Sequence, residues 1–363
     1  MLKPITAPNS PCAHQLCGAL HLHTTYSDGG KTLPAMIAVA KQCGLEYIVV
    51  TDHMTLAGKD EGFQGYHDSL LVAIGYEIND THNKNHLLAL GTDTVVADTA
   101  DAQAYINDVK RNGGICFLAH PFEKRSYLKD FPPYEWTKID TVTGYDGLEM
   151  WNQMSHWLER LKFKFDFFKL FHPRDILQSI DREDLLKWDA INRTRFASGV
   201  GGVDAHTMKV RMAGFIPYTI FPIKVELKGV RTHVYLPEPL PDCDVARGLS
   251  LLYTALGNGN GYICHSRWGD GRNTELFMVD GANKSVLPGK LQNPVTLPAM
   301  IHVKIPLSGR IDLIFNGKKI QSSTGINAEF LIDKKGLYRV EIYRHGKGWI
   351  YSNPFVVGEY PLW

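Results

Sequence analysis

Apolar positions recur along this chain with two different periods, and the change from one to the other divides it. Up to about residue 268, short β-branched or leucine-rich runs alternate with helical stretches. "GALHLHT", "YIVVTDH", "LLVAIGYEIN", "HLLALG", "ICFLAHP", "YDGLEMWN" and "RFASGVGGVDAH" read as strands. Between them, "TLPAMIAVAKQCG" reads as a helix with Thr32 as N-cap and Gly44 as its stop. "ADAQAYINDVKRNGG" sets Ala104, Tyr105 and Val109 at helical spacing before another glycine stop. A polar and aromatic helical region follows, roughly 155–192, in which Trp157, Leu161, Phe165 and Phe168 have the spacing of an amphipathic helix packing inward. Repeated strand–helix units predict an α/β fold with a mostly parallel sheet or barrel, which gathers ligands at the carboxyl ends of its strands. Beyond residue 268 the period falls to two. "AMIHVKIPL", "GRIDLIFNGKKI", "NAEFLID" and "GLYRVEIYRHG" alternate around "NGK" and "KKG" turns and predict a small all-β antiparallel sandwich. The expected division is thus 1–268 and 269–363.

Composition changes this picture little. The 363 residues are 44% hydrophobic and 21% charged, with a net charge of +1, so no global field draws nucleic acid or a membrane surface. No apolar run is long enough to cross a bilayer, and the first residues lack the apolar core of a secretory leader. Six scattered cysteines suit reduced thiols, so a cytoplasmic protein is expected. "CAHQLC", Cys12 to Cys17, reads as a loose tail because no second cysteine pair follows it.

The strand ends change the picture decisively. The first strand ends in His21-Leu22-His23, with Asp28 five residues on; the second ends in Asp52-His53 and the third in Glu77. The fourth begins with His86, the fifth ends in His120, the sixth contains Glu149, and the seventh ends in Asp204-Ala205-His206. Strand residues i and i+2 share a face, so His21 with His23, and Asp204 with His206, can converge. Imidazole and carboxylate are ligands of Zn, Mn and Fe, and the lack of cysteine argues against a closed structural zinc site. The donors are too many for one ion; two or three divalent ions sharing carboxylates fit them, and a pair about 3.5–4 Å apart can hold a bridging hydroxide. His86 is preferred over His82 because it abuts the apolar strand. The remaining histidines, among them His156, His233 and His265, read as ordinary core or surface residues. Lys124 and Arg125 follow His120 on what should be a loop at the active end; a guanidinium fork suits a phosphate, and a solvated charge pair is the alternative.

In order along the chain, "HLHTTYSDG", "TDH", "GYEI", "NHLLALG", "AHP", "GLEMWN" and "GVDAH" resemble the motifs of the PHP (polymerase and histidinol phosphatase) superfamily. The resemblance implies a distorted (β/α)7 barrel with a two- or three-metal site. His21, His23, Glu77 and Asp204 would hold one ion. Glu77 would bridge to a second, held by His86 and His120, and Asp28, His53 and His206 would hold a third. Glu149 would support a ligating histidine from behind, and Asp204 and His206 would be catalytic, with the third ion, or a protonated His206 where that site is empty, assisting the leaving group. The implied activity is hydrolysis of a small-molecule phosphate ester through a metal-bridging hydroxide, by a protein with no nucleic-acid or membrane partner and open to homo-oligomer formation. Carboxyl-ester or carbamate hydrolysis at the same metals, and a non-catalytic metal-stabilised module, are the alternatives. "LLKWDAI", "VRTHVYL" and the tail "GLYRVEIYRHGKGWIYSNPFVV" further resemble the branch that includes carbaryl hydrolase, in which an immunoglobulin-like sandwich follows the barrel.

Overall fold

The computed structural model describes residues 10–97, 99–124, 133–160, 172–207, 209–212, 215–219, 221–290 and 294–362. Leu161, Phe165 and Phe168 of the expected amphipathic helix, and Arg125, lie outside these residues; Trp157 is buried.

The chain enters on β1 (His14–Leu22), β2 (Tyr47–Val50), β3 (Gly65–His67) and β4 (Leu70–Ile74). These join β12 (Val230–Leu236) and β13 (Gly261–His265) in the order β3-β4-β2-β1-β12-β13. A second sheet runs β5-β6-β7-β8-β9, built from Tyr76–Ile78, Leu87–Leu90, Ile115–Leu118, Gly147–Asn152 and Ser198–Gly202. A short pair, β10 (Lys209–Met212) and β11 (Ile216–Thr219), stands apart. "LLVAIGYEIN" is therefore two strands. The chain turns from one sheet into the other at Gly75, where a Cβ would lie 2.2 Å from the Ala89 carbonyl oxygen. A second seam closes where Leu22 bridges Ala205 and Val203 N–H donates to the Leu20 carbonyl.

The sheets are less parallel than the sequence suggests. β6 runs antiparallel to both β5 and β7, and β12 runs antiparallel to β1 and β13. No helix separates β5 from β6, so the chain returns directly alongside itself. The reversal has a consequence for chemistry: the start of β6, where His86 stands, falls at the end where the other strands finish.

Helices cover the outside: α1 (Leu33–Gln42), the single turn α2 (Ala57–Asp60), α3 (Ala102–Arg111), α4 (Gln153–Glu159), the single turn α5 (Pro173–Ile176), α6 (Arg182–Thr194) and the single turn α7 (Ile223–Glu226). Strand residues are buried on both faces. Ile48 and Val50 pack with the helical layer, while Tyr47 and Val49 join an inner cluster sealed by α8 (Val245–Asn258) through Leu252, Ala255 and Leu256. Cys17 is fully buried in β1, so "CAHQLC" is no loose tail; apolar flanks draw it into the sheet.

The last strands are β14 (Glu275–Val279), β15 (Ser285–Val286), β16 (Ala299–Phe315), β17 (Lys318–Ile332), β18 (Gly336–Arg344), β19 (Lys347–Ser352) and β20 (Phe355–Val357). Their pairings are antiparallel, as the period of two predicts. These strands continue the first sheet, because β19 pairs with β13 from Tyr262↔Ser352 to Cys264↔Ile350. The Asn353 side chain satisfies the Gly199 N–H and C=O of β9 at 2.6 and 3.0 Å, and a buried Arg339–Asp189 pair ties β18 to α6.

His233 and His265, on β12 and β13, are fully buried, and neither nitrogen of His233 has a hydrogen-bond partner. Burial pushes both imidazoles down from 6.5 to about 3. Unfolded, they take up protons near pH 6.5, so between there and about pH 3 the unfolded chain binds more protons and stability rises with pH. Their contribution is intact above pH 6.5 and is lost as pH falls through the window. The urea midpoint should drop from pH 7 to pH 5, and His233→Phe, which keeps the stacking on Tyr262, should make that drop shallower. Equal slopes for the two proteins would contradict this.

Candidate metal centre

Each strand end reaches the centre by a local device. His21 does so from a bulge: the β1–β2 register shifts between Leu20 and Leu22, and His21 adopts φ +64°. Simple alternation therefore does not explain why His21 and His23 converge; the left-handed residue re-aims the first imidazole. His120 (φ +30°) and Asp204 (φ +55°) are also left-handed. Such backbone costs on the order of 1–3 kcal/mol per residue and concentrates at functional sites. Asp52 faces away from the centre, where Thr24 N–H, Thr24 Oγ1–H and Ser27 Oγ–H donate to its carboxylate at 2.7, 2.7 and 2.6 Å. It fixes the turn that carries Asp28 and leaves His53 to face inward.

Glu77 stands at the middle. Its Oε2 lies 3.0, 3.1 and 3.5 Å from Nε2 of His21, His23 and His53. Its Oε1 lies 2.8 Å from His86 Nδ1 and 3.3 Å from His120 Nε2. Asp204 Oδ1 is 3.5 and 3.4 Å from the same nitrogens of His21 and His23 and 3.3 Å from His206 Nδ1. Asp28 Oδ2 is 3.2 Å from His206 Nε2 and 3.8 Å from His53 Nε2. All nine expected ligands thus meet in one cluster, and His82 is exposed outside it. Donors bonded at about 2.1 Å to one ion stand roughly 3.0–3.4 Å apart at octahedral to tetrahedral angles, which is the spacing seen here.

The donor set fits divalent ions on two further grounds. Nδ1 of His23, of His53 and of His120 is buried without a hydrogen-bond partner. The charges are also tightly coupled. Burial opposes charge on Glu77 and Asp204, yet the surrounding imidazoles hold both carboxyls well below the usual range. Burial likewise opposes charge on His21, but Glu149, Glu77 and Asp204 outweigh it and hold the imidazole well above its usual value. Burial opposes charge on His206, but its bond to Asp28 and the charges of Asp204 and Asp28 together outweigh it and push the imidazole up to about 10, while burial takes His53 down to about 4. The three carboxylates Asp28, Glu77 and Asp204 thus demand positive charge at their centre.

Glu149 supports from behind. Its Oε1 accepts from His21 Nδ1–H at 2.9 Å, so Nε2 is the nitrogen that faces Glu77 and would meet an ion, and its Oε2 accepts the His120 N–H at 2.8 Å. Asn152 donates to both Glu149 Oε2 and Asp204 Oδ2, at 2.9 and 3.2 Å. Asn83 Oδ1 sits 3.1 Å from His86 Nε2 and frees Nδ1 for the centre in the same way. Asn83 carries no warning in the sequence, being one polar residue in a polar loop. Gly202 is another unannounced part: a Cβ there would lie 1.6 Å from Glu149 Oε1. Gly202→Ala should displace Glu149 and weaken metal affinity by about 10–100-fold, the usual effect of losing such a support. Titration of the variant with Mn2+ checks this; unchanged affinity would contradict it.

A cavity of about 430 Å³ opens over the cluster, with Tyr134, Met154 and Leu158 on its wall. Among the described residues lining it there is no lysine or arginine. Lys124, the expected substrate contact, is not among the residues lining this cavity; its ammonium pairs with Glu183 and Asp184 at 2.9 and 3.4 Å, because α6 presents those carboxylates to the loop.

Residues 19–120 match the family model described as PHP domain. An uncharacterized protein of Methanocaldococcus jannaschii is 30% identical over 115 residues, covering 28% of this chain and 66% of the relative, just under two thirds of its length. A two-domain Bacteroides vulgatus protein, described as containing a predicted PHP-like metal-dependent phosphoesterase, aligns over 98% of this chain and 99% of its own, with 15% identity and a TM-score of 0.45. An amidohydrolase from Chromobacterium violaceum, solved with sulfate and no metal, aligns over 57% of this chain and 92% of its own, at 14% identity and a TM-score of 0.35. The described residues contain no helix long and apolar enough to cross a membrane. With its motifs, its cluster around Glu77 and its match over residues 19–120, the chain contains a PHP domain.

Proposed function

We propose that this protein is a metal-dependent hydrolase of small phosphate esters. The observation that carries the reading is Glu77, whose two oxygens divide five imidazoles into two sets, as a carboxylate shared between two ions would. Zn, Mn or Fe suits the donors. Two or three such ions lower the pKa of bound water and stabilise the charge of an oxyanion. We read His21, His23, Glu77 and Asp204 as one ligand set, Glu77 with His86 and His120 as the second, and Asp28, His53 and His206 as the third. Asp204 keeps His206 oriented, its carbonyl 3.0 Å from Nδ1; where the third set holds no ion, a protonated His206 can give a proton from Nε2 to the leaving oxygen at the half-exposed mouth. Tyr134, stacked 4.8 Å from His86, and Met154 and Leu158 offer a surface for the organic part of the ester. We read 1–268 as a distorted (β/α)7 barrel carrying this activity and 269–363 as a small immunoglobulin-like sandwich.

One observation favours a second reading, hydrolysis of carboxyl esters or carbamates. The described cavity wall holds apolar groups and no cationic side chain, so the ions alone would meet a phosphate's charge. The metal-loaded protein should be assayed on para-nitrophenyl phosphate and a bis-aryl phosphodiester, beside para-nitrophenyl acetate and an aryl carbamate. Phosphoester turnover that falls at least about a hundredfold in His21→Ala supports the first reading. Turnover of the acyl substrates alone supports the second. Metal binding without turnover of any of the four would count against both and favour a metal-stabilised module.

A further inference from the structure

The helix α4 carries His156 and Glu159 one turn apart, so the two share a face. Asp181, at the N-terminus of α6, comes up against them from another part of the chain. One donor atom from each of the three lies within 4.8 Å of the others. Adjacent donors to one divalent ion stand roughly 3.0–3.4 Å apart and opposite ones about 4.2–4.6 Å, so the three side chains would draw together to share an ion. His156 is 7% exposed, and its Nδ1 is buried with no hydrogen-bond partner. Asp181 gives no cap to α6; its Oδ1 accepts from Arg160 at 2.7 Å, and it has a second oxygen to offer.

The surroundings are anionic. Among the described residues, Glu123, Glu159, Asp181, Glu183 and Asp184 stand near Lys124, Arg160 and Lys187, an excess of carboxylates in a half-buried place. Burial, with Glu123, Asp184 and Asp181 nearby, pushes the Glu159 carboxyl up to about 7. The cluster is distinct from the centre at Glu77. A small pocket of about 20 Å³, room for one water, is lined by His156 and Glu159 together with His120 and Glu149.

We propose that His156, Glu159 and Asp181 form a separate binding site for a divalent transition-metal ion, one imidazole and two carboxylates suiting Zn or Mn. An ion there would fasten α4 to the start of α6. It would act on the fold around Asn152, which precedes α4 and holds Glu149 and Asp204. The site does not depend on the proposed hydrolysis.

Zinc is the probe. The full-length protein, Glu159→Gln and His156→Ala, each checked for native circular dichroism, should be dialysed against buffered Zn2+ and analysed for metal per chain. The expected result is one ion fewer per chain in Glu159→Gln, or at least tenfold weaker affinity for one ion, together with a smaller rise in melting temperature on adding Zn2+. His156→Ala should repeat it. His21→Ala alters the centre at Glu77, so adding Glu159→Gln to it should remove a further ion. The same metal count, affinity and thermal gain in folded Glu159→Gln as in the unchanged protein would overturn the proposal. That result would leave the hydrolase reading untouched.

Discussion

Glu77→Gln should lower metal-dependent turnover by at least about a thousandfold, while leaving the fold intact. The change keeps the shape of the side chain and removes its charge. The fully buried carboxylate faces His21, His23 and His53 through one oxygen and His86 and His120 through the other. An amide presents one oxygen and one NH2 group, so one of these two sets would face donor hydrogens and could no longer share an ion. Losing charge stabilisation at one atom in a water-poor site costs about 10²–10³ in rate, and losing a shared ligand affects both ions at once. The check is turnover on the best of the four test esters, with metal content measured on the same samples. A variant that keeps both its ions and more than a tenth of its activity would contradict the role given to Glu77.

Arg339→Met should destabilise the folded protein by about 3–5 kcal/mol, the usual cost of breaking a buried ion pair from one side. Arg339 is 1% exposed and meets Asp189 with two parallel bonds of 2.9 Å and Glu341 with one of 2.7 Å. Burial opposes its charge, but the two carboxylates outweigh it and hold the guanidinium above its usual value. Removing it leaves Asp189 and Glu341 buried at 2% and 3% exposure, with their principal cation gone. The pair joins α6, in the first part of the chain, to β18 in the last, so the loss should loosen the two parts together. Urea denaturation measures it, and a double-mutant cycle with Asp189→Asn isolates the coupling. A loss below about 1 kcal/mol would show that the pair is dispensable to the fold.

The chemistry of the centre was more legible than its architecture. Metal ligands must be particular residue types, so His21, His23, His53, Glu77, His86, His120 and Asp204 stood out at the ends of apolar runs. The reason they converge was not legible. Alternation along a strand placed His21 beside His23 on a false premise, since His21 sits in a left-handed bulge that no local residue announces. The reversal of β6 and the pairing of β13 with β19 are tertiary choices of register, and the period of two that marks a strand says nothing about its neighbour. Supporting residues were hidden for a chemical reason: Gly202 matters through the atoms it lacks, and Asn83 and Asn152 through amides common on any surface. Lys124 shows how far a local reading reaches. Its place after His120 suggested a substrate contact, but Glu183 and Asp184, some sixty positions on, take up its charge.

The central claim, a carboxylate shared between two ions, is tested most directly by anomalous diffraction from crystals grown with Mn2+. The expected map has two peaks about 3.5–4 Å apart, one on each side of Glu77, with His21, His23 and Asp204 around the first and His86 and His120 around the second. A third peak between Asp28, His53 and His206 would extend the same centre. A single peak away from Glu77, or none with the protein folded in Mn2+, would contradict the two-ion centre.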